Sequence, residues 1–134
     1  DVLVSQRSVQ DALAIARSAN LAYVSIGELS EASLLRAQDM ITPEELAQLQ
    51  VLGAVGDTNG FFYDINGRAV DHSLSRRTIA LGFDELASAK VVGLIAGRQK
   101  MAAAIGLLRS GICKGLILDG DTAVALCEHL SLKA

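Results

Sequence analysis

Apolar residues recur along this chain with two different spacings. Repeats every three or four positions predict helices, and unbroken apolar runs of five or six predict buried strands. Val9, Leu13, Ala14 and Ala16 form a helical stripe that stops at Asn20, with Ser8 as cap and Asp11 in the capping-box position. Leu21-Ala-Tyr-Val-Ser-Ile26 reads as a strand covered on both faces, running into a corner at Gly27-Glu28. Ser30 to Met40 is helical in pattern, with Ser30 as cap. Thr42-Pro-Glu-Glu45 is the strongest helix start in the chain, and its helix ends near Gly53. Gly53 to Gly60 reads as a glycine-rich polar stretch. It leads into Phe61 to Ile65, then Asn66-Gly67, then Arg68 to Val70, which predicts a β-hairpin that protrudes from the sheet or edges it.

Asp71 to Arg77 reads as a loop and Thr78 to Gly82 as a short strand, with Asp84 capping a helix through Ala89. Val91 to Ala96 is a strand that turns at Gly97 into a helix reaching Arg109. That helix is apolar nearly all round, so it is expected to be buried, and Ser110-Gly111 closes it. Leu116 to Leu118 is a last strand. Thr122 to Leu130 is a last helix, capped by Asp121 or Gly120. Asp1 to Gln6 reads either as a frayed end or as the end of a strand without neighbours. Strands alternating with helices predict an α/β domain, a mainly parallel sheet flanked by helices.

Composition narrows the classes. A chain of 134 residues, half of them apolar, is one domain with a real core. A net charge of −3 and no basic cluster larger than Arg76-Arg77 argue against nucleic-acid binding by this stretch itself. Three Phe, two Tyr and no Trp leave little for base stacking. Cys113 and Cys127 have no metal-ligand spacing to His72 or His129. They read as free thiols in a reducing cytoplasm. No metal, cofactor or nucleophile motif is present, and no membrane partner is expected. The start at Asp1, without methionine, suggests a piece of a longer protein or a processed one.

Ligands of open α/β sheets bind outside the carboxyl ends of the strands. Four segments point there: Gly27-Glu28, Gly56 to Asn59, Gly97 to Lys100, and Asp119 to Thr122. They carry acids (Glu28, Asp57, Asp119), the Asn59 amide and two cations, Arg98 and Lys100. Cations oppose the positive end of a helix dipole, so the pair makes sense beside a bound anion. Together these groups suit a small anionic polyol such as a phosphorylated sugar. Each also has a plain structural role open to it. Asp57 and Asn59 fit turns, Asp119 and Asp121 fit a turn and a cap, and Arg98, Lys100 and Glu28 fit solvated surface. His72 and His129 stand isolated, with no catalytic role expected.

The same segments resemble a known family along nearly the whole chain. The matching pieces are Leu21 to Gly27, Gly53-Ala-Val-Gly-Asp-Thr-Asn-Gly-Phe-Phe-Tyr-Asp64 with Asn66-Gly67, Leu94 to Lys100 with Ala104-Ile105, and Leu116 to Asp119 with Thr122-Ala123. In that order they resemble the C-terminal part of the sugar-binding domain of SorC-type bacterial transcriptional regulators. The resemblance implies a fold similar to ribose-5-phosphate isomerase and glucosamine-6-phosphate deaminase. It also implies a phosphorylated-sugar effector, an oligomer, and operator DNA bound through an N-terminal helix-turn-helix. Lys100 matches the family's effector-contacting lysine, Asp57 lies in the loop that gives an acidic contact, and Gly97 matches a glycine of the same corner. The effector-binding set is thus Asp57, Asn59, Gly97 and Lys100, with no catalytic residue.

The chain departs from the family pattern in three places. Ala96 replaces a glycine before the lysine corner, Ser25-Ile-Gly27 replaces Gly-Ile-Gly, and Leu118-Asp-Gly120 replaces Thr-Asp-Glu. The family's phosphate loop and DNA-binding domain fall outside residues 1–134, which would then be one partial effector domain whose open sheet edge invites pairing. The expected function is effector sensing in a cytoplasmic regulator. A phosphosugar isomerase or deaminase fragment is the alternative.

Overall fold

The computed structural model describes residues 2–131, so the expectation for the first segment falls outside them at Asp1. In chain order the elements are α1 (Arg7–Arg17), β1 (Leu21–Ser25), β2 (Gly27–Glu28), α2 (Leu34–Ala37), α3 (Pro43–Val51), β3 (Ala54–Thr58) and β4 (Phe61–Asp64). Then come α4 (Ser73–Arg77), α5 (Phe83–Leu86), β5 (Lys90–Ile95), a 3-10 turn (Arg98–Lys100), α6 (Met101–Ser110), β6 (Cys113–Leu118) and α7 (Gly120–His129). The strands form two sheets. One is parallel, in the order β1-β5-β6, and the other is antiparallel, in the order β2-β3-β4.

Helix α6 joins the two sheets. Its small residues allow close approach, and Ala103 to Leu107 are all buried. Around it Ile26, Tyr63, Ile95, Ile112 and Leu126 complete the main core. A second cluster packs α3 onto the antiparallel sheet through Ile41, Leu46, Leu49, Ala54 and Phe62. α3 begins as predicted. The Glu45 amide donates to Thr42 Oγ1 at 3.1 Å, and the Thr42 amide donates to Glu45 Oε2 at 2.9 Å. Gly111 closes α6 in the left-handed conformation.

Several elements differ from the pattern's predictions. The glycine-rich stretch after Gly53 is strand β3, and the main hairpin turns at Asn59-Gly60, not at Asn66-Gly67. Asn59 (φ 53°) and Gly60 (φ 77°) both adopt positive φ, as a tight two-residue hairpin turn requires. After Asn66-Gly67 the chain returns only far enough for a bridge between Tyr63 and Ala69. Asp71 to Arg77 contains α4, whose cap is His72, and Thr78 to Gly82 is not a strand. The Thr78 hydroxyl instead donates to the Leu74 carbonyl, closing α4. Caps shift as well. Ser33 replaces Ser30, Gly82 replaces Asp84, Gln6 precedes α1 in place of Ser8, and Asp119 caps α7 in place of Asp121 or Gly120.

The largest departure concerns β1. It is not covered on both faces: Val24 is buried, but Tyr23 is 60% exposed. No residue of α1 is fully buried either: Val9 and Leu13 are half-buried, and Ala14 and Ala16 are exposed.

Candidate functional site

A cleft of about 210 Å³ opens where the two sheets meet, beyond the carboxyl end of β1. Ser25 and Ile26 form its floor as the chain leaves the parallel sheet for β2. Gly27, Glu28 and Asp57 come from the β2–β3 pair, Asn59 from the hairpin turn, and Lys100 from the turn before α6. Leu34 and Leu35 of α2 make an apolar wall. Three of the four segments predicted to converge therefore do so. Asp119 to Thr122 does not line the cleft.

Asp57 is held inward by local packing. Strand register places it opposite Gly27. A Cβ on Gly27 would collide with the Asp57 carboxylate, so only glycine leaves room for the acid there. The Gly60 amide donates to Asp57 Oδ2 at 3.3 Å, across the hairpin turn. Asp57 is 8% exposed, and this burial raises its pKa above the ordinary carboxylate range. The Gly60 amide and the Lys100 ammonium oppose that rise. The ion pairs among the described residues do not include Asp57 with Lys100. A buried acceptor and a nearby cation thus face the same space with spare hydrogen-bonding capacity. That is the equipment for gripping a hydroxyl and an anion.

The Tyr63 hydroxyl of the same antiparallel sheet does not share this space. The Tyr63 hydroxyl is buried without a hydrogen-bond partner, and burial pushes its pKa upward. It would lie 2.9 Å from a Cβ built on Gly56, whereas Asp57 follows on the alternate face of the same strand.

The glycine corner is a clamp. Gly97 turns the chain with φ 101°, a conformation that side chains resist. Its amide donates to Asp119 Oδ2 at 2.8 Å and to Thr122 Oγ1 at 3.1 Å. The Thr122 hydroxyl donates to the same Oδ2 at 2.6 Å, and the Thr122 amide donates to Oδ1 at 3.0 Å. These bonds, the Thr122 hydroxyl first, hold the Asp119 carboxyl down at about 2. Asp119 therefore ties the end of β6, the start of α7 and the corner that carries Lys100. The corner's first amide is spent internally, so it is not the free anion donor that the pattern suggested.

Of the two cations at that corner, Lys100 lines the cleft and the exposed Arg98 does not. Gly97 shapes the turn without lining the cleft. His72 has its own structural duty: Nδ1 accepts from the Leu74 amide, and Nε2 lies 3.1 Å from Gln48 Oε1. The wall residues Leu34 and Leu35 were not singled out from sequence. Their available signal was Ser33, whose hydroxyl accepts from the Arg36 amide and starts α2 just before them.

Comparison with known proteins gives this architecture a family. The model described as "Putative sugar-binding domain" matches residues 1–128. The erythritol catabolism regulatory protein EryD of Brucella abortus is 34% identical over 126 residues, which span 94% of this chain and 40% of that protein. The transcriptional regulator LsrR of an Enterobacter species is 32% identical over 130 residues, 93% of this chain and 40% of the relative. The chain thus spans well under half the length of these curated relatives.

Among solved structures, the sugar-binding domain of a transcriptional repressor from Vibrio fischeri superposes with TM-score 0.84 at 28% identity. The match covers 97% of this chain and 53% of the other. The full-length sorbitol operon regulator SorC of Klebsiella pneumoniae superposes with TM-score 0.82 at 25% identity, over 92% of this chain and 41% of that one. With its two sheets, its cleft and this match over nearly its whole length, the chain belongs to the sugar-binding domain family of SorC-type transcriptional regulators.

Proposed function

We propose that this chain is part of the effector-sensing domain of a DNA-binding regulator, and that its cleft takes a phosphorylated sugar or polyol. One observation carries this reading. Asp57 and Asn59 from the β3 hairpin, Lys100 from the turn before α6 and Glu28 from β2, three segments distant in sequence, line one small cleft. The acids and the amide suit hydroxyl groups, and Lys100 suits a phosphate. Two relatives are named for erythritol catabolism and for a sorbitol operon, which favours short polyols and their phosphates. Operator DNA would be bound by a separate domain, in a cytoplasmic oligomer, and effector binding would shift the balance between two states of that oligomer. The relatives' names are those of regulators, which supports sensing over isomerase or deaminase chemistry.

Calorimetric titration of the full gene product against four- to six-carbon sugar and polyol phosphates tests the proposal. At least one is expected to bind without being turned over. Lys100→Ala is expected to weaken that binding more than about tenfold, as loss of a charge-assisted hydrogen bond does. Affinity unchanged for every binder would remove Lys100 from the site. Binding of none, or turnover of one, would defeat the sensor reading itself.

A further inference from the structure

The cleft brings a polar set and an apolar set of residues onto one space. Asp57, Asn59 and Lys100 belong to the first, and Ile26, Leu34 and Leu35 to the second. Strand pairing puts Asp57 opposite Phe62, so both side chains stand on the same face of the antiparallel sheet. Leu35 is half-buried against the core cluster that contains Phe62, so α2 lies on that face, beside the acid. Leu34 is 66% exposed and belongs to none of the core clusters among the described residues. A single exposed leucine needs no explanation by itself. This one lines the cleft and is held in place. The Ser33 hydroxyl accepts from the Arg36 amide and starts α2. The Arg36 guanidinium donates to the Ile41 carbonyl at 2.6 Å and to the Glu31 carboxylate at 3.4 Å. Asp39 ends the helix in the left-handed region, with φ 51°, and the Met40 amide returns to the Leu35 carbonyl at 2.9 Å. Ser33 and Ile41 are buried, so the loop is anchored on both sides of Leu34. It presents a fixed leucine to the cleft.

A hydroxyl set against this wall loses its water and finds no partner there, whereas a bare carbon buries apolar surface. We propose that Leu34 is a specificity-determining residue of the cleft. It selects a sugar or polyol phosphate in which one carbon carries no hydroxyl, a deoxy carbon or a methyl group, on the side that faces α2. The remaining hydroxyls meet Asp57 and Asn59. This inference rests on the cleft being a sugar-phosphate site, and it narrows the ligand class. An apolar wall rejects one added hydroxyl by about tenfold to a hundredfold. The polar groups discriminate in the opposite sense, because removing a hydroxyl that Asp57 accepts from weakens binding. Ligands that differ by one hydroxyl therefore report which wall that position faces.

The experiment titrates the full gene product with phosphate esters paired by one hydroxyl. The pairs are ribose 5-phosphate with 2-deoxyribose 5-phosphate, glucose 6-phosphate with its 2-deoxy and 3-deoxy analogues, and fructose 1-phosphate with its 6-deoxy analogue. At least one deoxy ester is expected to bind about tenfold or more tightly than its hydroxylated partner. Leu34→Asn is expected to remove most of that preference, and Leu34→Met, which keeps the wall apolar, to retain it. Hydroxylated esters that bind as tightly as every deoxy partner would overturn the proposal and leave the sensor reading intact. So would a four- to six-carbon panel in which only esters hydroxylated at every carbon bind. A Leu34→Asn variant that keeps the preference, or that weakens both members of a pair alike, would also overturn it. Binding of no phosphate ester at all would defeat the sensor reading and this inference together. Thermal melts guard the variant. Leu34→Asn is expected to leave the melting temperature of the full product unchanged, as a substitution on an exposed side chain does. A fall of about 5 °C or more would show that protein, not ligand, covers Leu34, and would overturn the proposal.

Discussion

Asp57 shows what a buried carboxyl in the cleft costs in stability. Its carboxyl is buried against Gly27 and receives a single amide, from Gly60. Burial raises its folded-state pKa, so the folded chain holds this proton to higher pH than the unfolded chain does. Stability therefore falls as pH rises from the ordinary carboxylate range through the raised value, and the loss is complete above it. Asp57→Asn removes the ionisation and keeps an acceptor for Gly60. At neutral pH the variant is expected to melt above the wild type, and the gap is expected to close at about pH 3, below the ordinary aspartate value. In the full gene product the same change is expected to weaken effector binding more than about tenfold. Thermal melts at the two pH values and one titration check both parts. A melting gap independent of pH would mean that Asp57 is not a strained buried acid.

At the scale of elements, the corner before α6 depends on a different acid from the one in the cleft. Asp119 accepts from Gly97 and from Thr122, so it fixes where the strand β5 hands over to the turn bearing Lys100. Its carboxyl is held down at about 2, chiefly by the Thr122 hydroxyl. The stabilisation it brings is complete above the unfolded-chain value of about 4 and is lost as pH falls through about 2. Asp119→Asn is expected to lower the melting temperature at neutral pH, with the deficit shrinking toward zero as pH approaches 2. In the full gene product it is expected to weaken effector binding through Lys100 without touching the ligand. Melts across that acid range, with a titration at neutral pH, test the two halves separately. A deficit that does not shrink in acid would remove the charge from the clamp.

Asp119 also marks what sequence can and cannot show. Its chemistry was visible as an acid at a strand end. Its role was not, because a cap and a ligand demand the same residue types and differ only in what lies across the turn. The Thr42 capping box and the buried α6 were legible because each rests on local spacing alone. The hairpin was misplaced for a physical reason. Asn59-Gly60 and Asn66-Gly67 carry the same turn chemistry, and pairing to β2 and packing under α6 select the first.

For the whole molecule, the same limit appears at larger scale. Leu21 to Ile26 has the composition of a strand covered on both faces, yet one face is open here. This chain spans about half of the matched Vibrio fischeri domain. The cleft has the same character. Its lining supplies one cation, Lys100, and one buried acid, Asp57. A phosphate held by a single ammonium that is itself only partly buried gains little, since strong recognition requires several converging charge-assisted bonds in a site that excludes water. The 134-residue chain alone is therefore expected to bind sugar and polyol phosphates with a dissociation constant of about 1 mM or weaker, even where the full gene product binds tightly. Thermal melts check this without assuming a ligand. A phosphate ester present at a hundred times its dissociation constant stabilises its protein by about 2.7 kcal/mol. The full product should then shift by several degrees at ligand concentrations that leave the isolated chain unmoved. Equal shifts would show that the residues around Asp57 and Lys100 form a complete site.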